Sequence, residues 1–69
     1  MMVESGDHRF VAVGAVNGTV LLLDAISGAQ LAAVQSDGTP VERLTFDADA
    51  LSIVWRGGRI ERVAITSAP

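Results

Sequence analysis

Nothing in this chain can form a disulfide or a thiolate zinc site, because its 69 residues include no cysteine. A single histidine, His8, leaves little imidazole for metal ligation, and no cofactor is expected. Lysine is absent too. All five cations are arginines, set singly among eight carboxylates for a net charge of −3. A chain without a basic stripe cannot neutralise a row of phosphates, which argues against nucleic acid as a partner. No apolar run approaches the ~20 residues that a membrane helix needs. The segment from Met1 to Arg9 also lacks the basic and apolar regions of a secretory leader. The expectation is a cytoplasmic protein with no membrane partner. Arginine in place of lysine, with abundant alanine, valine and glycine, hints at a GC-rich bacterial genome.

What the chain does have is apolar residues, 49% of the total, with a mean hydropathy of +0.41. A chain this short allows one small domain at most. Small domains commonly add a disulfide, a metal or a partner subunit. With the first two disfavoured, the composition points to the partner.

The apolar residues fall into six β-type runs separated by turn signals. They are Phe10 to Ala15, Thr19 to Asp24, Gln30 to Gln35, Val41 to Phe46, Leu51 to Arg56 and Arg59 to Ile65. Asn17-Gly18 between the first two predicts a hairpin turn with positive φ at both residues, and Gly57-Gly58 predicts a second two-residue turn. Asp24 is placed to accept hydrogen bonds from the loop amides that follow it. The run Thr19-Val20-Leu21-Leu22-Leu23-Asp24 is apolar on both faces, which suits a strand enclosed between layers. The predicted fold class is all-β, with no helix longer than one turn.

The halves repeat, with Gly58 following Gly18 by 40 residues, close to the ~40–45-residue period of a WD40 propeller blade. The stretch from Asn17 through Thr19-Val20-Leu21-Leu22-Leu23-Asp24 to Ser27-Gly28 and Leu31 resembles the second half of a WD40 repeat. In that family Asp-Gly-Thr-Val-Arg-Leu-Trp-Asp is followed by a short turn and the outermost strand. Ser5 to Gly14 is similar to the preceding loop and second strand, and Val41 to Asp47 to the innermost strand of the next blade. Leu23 stands where the family has tryptophan, and Asp37-Gly38-Thr39-Pro40 stands where it has Gly-His. The family's buried Asp-His-Ser-Trp network therefore does not carry over. Quinoprotein-type propellers share a similar Gly-x-Val-x-x-Leu-Asp pattern and are the alternative.

The resemblance implies two adjacent antiparallel propeller-like blades of about three strands each, in an incomplete propeller. Residues 1–35 would form a partial first blade with little or no innermost strand. Residues 36–40 would be an inter-blade loop, 41–66 a partial second blade lacking its outermost strand, and 67–69 a tail. A closed propeller needs at least about four blades, so the chain is a fragment, a remnant of a truncated reading frame, or a subunit that associates with copies of itself. The function implied is a non-catalytic protein–protein interaction or scaffold module, not an enzyme. Its partner would be another protein, a homo-oligomer or the rest of a larger propeller.

Several residues carry potential chemistry. Asp47 and Asp49, with Asp37 upstream, offer carboxylates for a cation or for acid–base work, and the alternative function is a small β ligand- or metal-binding protein or enzyme built on those loops. The spacing lacks the ligand run of a calcium loop, so a solvated turn is expected. Ser5, Asp7 and His8 have the residue types of a nucleophilic triad, but adjacent positions on one loop do not build a hydrogen-bonded relay. His8 is expected instead to pack against Phe10. Gly57-Gly58 between Arg56 and Arg59 reads as a charged hairpin rather than an anion site. Trp55, in line with Leu51 and Ile53, is expected in the core; if exposed, it would be the leading contact residue, followed by Leu21, Leu22 and Leu23.

Overall fold

The computed structural model describes residues 1–47 and 49–65. The sequence-predicted tail at 67–69, Thr66 at the end of the second unit, and Ala48 in the predicted turn lie outside the described residues. Among those described, the chain is all-β with no helix. Seven strands run in order: β1 (Met2–Glu4), β2 (Phe10–Gly14), β3 (Thr19–Asp24), β4 (Gln30–Gln35), β5 (Val41–Phe46), β6 (Ala50–Trp55) and β7 (Ile60–Ala64). They form two antiparallel meanders, a four-stranded sheet β1-β2-β3-β4 and a three-stranded sheet β5-β6-β7.

The first sheet therefore has one strand more than expected. β1 pairs Val3 with Ala12 and Glu4 with Val11, and the Met1 carbonyl accepts the Gly14 amide at 2.8 Å. Three residues are too few to show an alternating pattern, which is why this strand is silent in the sequence.

The hairpins are also built differently. Between β2 and β3 the Ala15 amide donates to the Thr19 carbonyl at 2.8 Å, leaving three loop residues rather than two. Gly18 takes φ +87°, while Asn17 keeps an ordinary negative φ and its side-chain oxygen accepts the Thr19 amide. The loop is a turn closed by one left-handed glycine, a common three-residue hairpin. Between β6 and β7 the Trp55 amide donates to the Arg59 carbonyl at 2.8 Å, again enclosing three residues, with both Gly57 and Gly58 at positive φ.

Each sheet turns one face inward. Ala12, Val20, Leu44, Leu51, Ile53 and Trp55 make the buried cluster, with Val3, Val34, Val41, Phe46 and Val63 packed against it. At Gly14 the sheets come close, because a Cβ there would touch the Val41 and Leu44 side chains at 3.4 to 3.5 Å. Ser36–Pro40 joins β4 to β5 and is tied at both ends. The Ser36 amide donates to the Gly18 carbonyl, and the Arg56 amide to the Pro40 carbonyl, each at 2.9 Å. The loop thereby links both sheets' hairpins.

Candidate functional site

β3 decides where the accessible apolar surface lies. Alternate residues of a strand point to opposite faces, and in β3 both sets are apolar. Val20 and Leu22 are buried on the inward face, at 1% and 4% exposure. Leu21 and Leu23 point the other way and are half-buried. Their partners across β2 are Val13 and Val11, and Leu21 faces Ala33 on β4. Val11, Val13, Leu21 and Leu23 thus form one contiguous apolar patch on the outer face of the first sheet. None belongs to the core cluster or packs against it. Among the described residues, the neighbours that pair with them lie within their own sheet.

The outer face of the second sheet is different. Arg43 faces Val54, Thr45 faces Ser52, and Ser52 faces Arg62. Arg62 Nη1 lies 2.9 Å from Asp47 Oδ2, and the Ser52 hydroxyl donates to the same oxygen at 3.2 Å. Val54 and Ile60 are paired on the same face, with Ile60 64% exposed, so this face mixes charged, polar and apolar residues. The first sheet has the more apolar outer face, because its central strand carries leucine where β6 carries serine.

The residues expected from sequence to make contacts separate accordingly. Leu21 and Leu23 stand on the outer patch. Leu22 does not: it is enclosed on the inner face and leaves the candidate surface. Trp55 is fully buried, beneath the Arg59 guanidinium, which lies 5.8 Å from the ring centroid. It is a core residue with no accessible face, so the condition for making it a contact residue is not met. Among the described residues its indole N–H has no hydrogen-bond partner.

The acidic loops do not converge. Asp37 precedes β5 and Asp47 follows it, so a strand about 20 Å long at ~3.3 Å per residue lies between them in the chain. Asp37 accepts the Thr39 hydroxyl and amide, which hold its carboxyl below the usual carboxylate range. Among the described residues no three Asp, Glu or His side chains gather closely enough to hold a metal ion. Asp49 is exposed, and its carbonyl accepts the Ile65 amide at 2.9 Å.

An open cleft of about 320 Å³ lies where the β1–β2 turn meets the start of the β5–β6 turn, lined by Phe10, Phe46 and Ile65 together with Ser5, Asp7 and Asp47. Both carboxylates are already engaged. Asp7 accepts the Ser5 hydroxyl at 2.7 Å and the Arg9 amide at 3.1 Å, and these bonds lower its pKa. The Ser5 oxygen in turn accepts the Phe10 amide at 3.0 Å. His8 sits at φ +61° with Nδ1 2.9 Å from Glu4, not from Ser5. The serine's proton is directed to a carboxylate and the imidazole faces elsewhere, so these three residues organise a turn rather than a nucleophile. Packing against Phe10 is the sequence expectation for His8; its defined partner is Glu4.

Asp24 behaves as its position predicts. Its carboxylate accepts the Ile26 and Ser27 amides at 2.8 and 2.9 Å, and the Ser27 and Ile26 bonds lower its pKa. Compared with protein-family models, with curated proteins and with solved structures, the chain returns no match.

Proposed function

We propose that this chain is a non-catalytic protein-interaction module, and that its working surface is the outer face of the first sheet. One observation carries the reading: Val11, Val13, Leu21 and Leu23 make an apolar patch that no other described element covers. Contiguous apolar surface of this kind marks interaction sites on soluble proteins. Two consecutive meanders packed face to face, with a glycine-closed hairpin repeating after 40 residues, support the propeller-like reading of WD40 type, with quinoprotein type as the alternative. In such an arrangement each sheet is covered on both faces by its neighbours. The inner face of the first sheet is covered here by the second sheet; the outer face calls for a further sheet, supplied by another copy or by a larger propeller.

The test is sedimentation equilibrium of the purified chain beside Leu21→Asp and Leu23→Asp. Association that weakens at least tenfold in both variants, with the β circular dichroism spectrum kept, is the expected result. A well-folded monomer at high micromolar concentration, unchanged by either substitution, would overturn the reading. The ligand-binding alternative, built on the acidic loops around Asp37, Asp47 and Asp49, would require saturable binding in a titration with calcium or with small organic amines.

A further inference from the structure

The backbone of β4 offers a second, more specific surface. The strand closes one edge of the first sheet, and the groups it does not spend on β3 point outward. The Gly18 carbonyl accepts the Ser36 amide at 2.9 Å, and this pair continues the register in which Thr19 faces Gln35 and Leu21 faces Ala33. Opposed residues in an antiparallel ladder alternate between hydrogen-bonded and non-bonded pairs. Val20 with Val34 is therefore a bonded pair, whereas Thr19 with Gln35 and Leu21 with Ala33 are not. The other side of β3 gives the same phase: the Thr19 carbonyl accepts the Ala15 amide from across the β2–β3 hairpin. The N–H and C=O groups of Ala33 and Gln35 thus face out of the sheet, side by side.

The sheet edges differ in how they discourage pairing. β1 is three residues long and carries Glu4. β5 follows Pro40, contains Glu42 and Arg43, and is broken by a register shift. β7 carries Glu61 and Arg62. Short strands, charges, proline and bulges are the usual protections of an edge. β4, Gln30-Leu31-Ala32-Ala33-Val34-Gln35, has no charge and no proline, and its one shift lies at the Leu22/Leu23 end, away from Ala33 and Gln35. An identical strand is the partner that this edge suits. In a two-fold antiparallel pair a charged residue near the axis meets its own like charge, which is destabilising. β4 alone among these edges escapes that.

We propose that β4 pairs antiparallel with β4 of a second copy about a two-fold axis normal to the sheet. Ala33 lies opposite the copy's Gln35, and Val34 lies opposite its own counterpart. The outward groups of Ala33 and Gln35 then satisfy one another reciprocally in both chains. The two Val34 side chains meet on the inner face in a non-bonded pair, with Cα atoms about 4.5 Å apart. The product is a continuous eight-stranded sheet. The inference rests on the assembly role given above but uses a different surface, the edge rather than the outer face.

The chain's lack of cysteine makes the register directly testable. A disulfide forms readily where Cα atoms lie ~4.4–6.8 Å apart. Val34→Cys is expected to cross-link into a covalent dimer on mild oxidation at least tenfold faster than Ile60→Cys on the exposed β7 edge and faster than Ala33→Cys. Equal rates for all three would overturn the proposal, and fastest linkage through Ala33→Cys would overturn this register. Ala33→Pro removes an amide that β3 does not use, and Ala33→Arg adds a charge beside the axis; each is expected to abolish the edge dimer while keeping the β spectrum. Measuring the cross-link in a Leu21→Asp background separates the two surfaces. Linkage retained there supports the edge pair independently of the outer patch. Association abolished by Leu21→Asp, with no preferential Val34→Cys linkage in the parent chain, would leave the interaction reading standing and refute the edge pair.

Discussion

Gly18 and Ser36 fasten the β2–β3 hairpin to the loop that leads into the second sheet. The Gly18 carbonyl accepts the Ser36 amide at 2.9 Å, and a Cβ on Gly18 would overlap Ser36 Oγ and stand 3.0 Å from the Thr39 carbonyl oxygen. The glycine is also left-handed, at φ +87°. Two independent reasons therefore exclude a side chain there.

Gly18→Val is expected to destabilise strongly. Left-handed geometry costs an L residue ~1–2 kcal/mol, and displacing Ser36 adds ~1–3 kcal/mol of overpacking. At ~4–8 °C per kcal/mol for a domain of this size, the melting temperature should fall by about 10 °C or more. Gly28→Ala is the control. It has φ +77° but open space around it, so only the backbone component should appear, about 1 kcal/mol. Equal melting temperatures for the two variants would count against the packed loop.

The core makes its own prediction at Trp55, whose buried indole N–H has no acceptor among the described residues. A buried unsatisfied donor costs ~1–3 kcal/mol, while an aromatic-to-alanine truncation in a core costs ~3–5 kcal/mol. Trp55→Phe removes the orphaned donor along with part of the ring, so its cost should be much smaller than that of Trp55→Ala. Denaturant titration of the two variants measures this directly. A Trp55→Phe variant as unstable as Trp55→Ala would mean that the indole nitrogen has a partner in solution.

Acid should weaken the turns. The carboxyls of Asp7, Asp24 and Asp37 are each lowered by hydrogen bonds from their own loops, first from the Ser5 hydroxyl, the Ser27 amide and the Thr39 hydroxyl respectively. A carboxyl whose pKa is lower folded than unfolded stabilises the fold fully above the unfolded value. That contribution disappears as pH falls through the folded one. Melting temperature should therefore be level from neutrality down to the ordinary aspartate range near ~4, then decline below it. These carboxyls are open to solvent, so the decline should be shallow. Asp24→Asn keeps an acceptor oxygen but cannot ionise, and should flatten the acid limb. An unchanged limb would show that the Asp24 bonds do not favour the ionised form.

Much of this arrangement was legible in the sequence, and the exceptions have physical causes. Thr19 to Asp24, Gln30 to Gln35 and Val41 to Phe46 match β3, β4 and β5 end to end, because turn residues such as Gly18, Gly28, Asp37, Pro40 and Asp47 stand at or within two residues of their ends. Asp24 was legible as a loop acceptor because a short side chain just before a turn has amides within reach. β1 was not, since a single inward residue, Val3, makes no pattern. Asn17-Gly18 differs in detail: the dipeptide is compatible with two hairpin geometries, and the packing of Gly18 against Ser36 is a long-range contact that local chemistry cannot report. The outer patch was legible only as an ambiguity. With both faces of β3 apolar, hydrophobicity could not say whether Leu21 or Leu22 faces the core.

That ambiguity gives the sharpest contrast available in this chain, between adjacent leucines carrying the same substitution. Leu22 is 4% exposed on the inner face, paired with Ala12 and Ala32. Leu22→Asp removes an enclosed side chain, a loss of ~2–5 kcal/mol for leucine truncation alone, and adds a carboxylate whose unpaired burial costs more. The expected result is loss of the cooperative thermal transition. Leu21 points the opposite way, and its carboxylate replacement would stand in water on the outer patch. Leu21→Asp should keep a cooperative melt, at a cost well below that of Leu22→Asp that includes the association lost from the outer patch. The residual cost comes from weaker apolar packing against Val13, which faces Leu21 across β2. If Leu22→Asp melts cooperatively while Leu21→Asp does not, the inward and outward faces of β3 are exchanged, and the interaction surface moves to Val20 and Leu22.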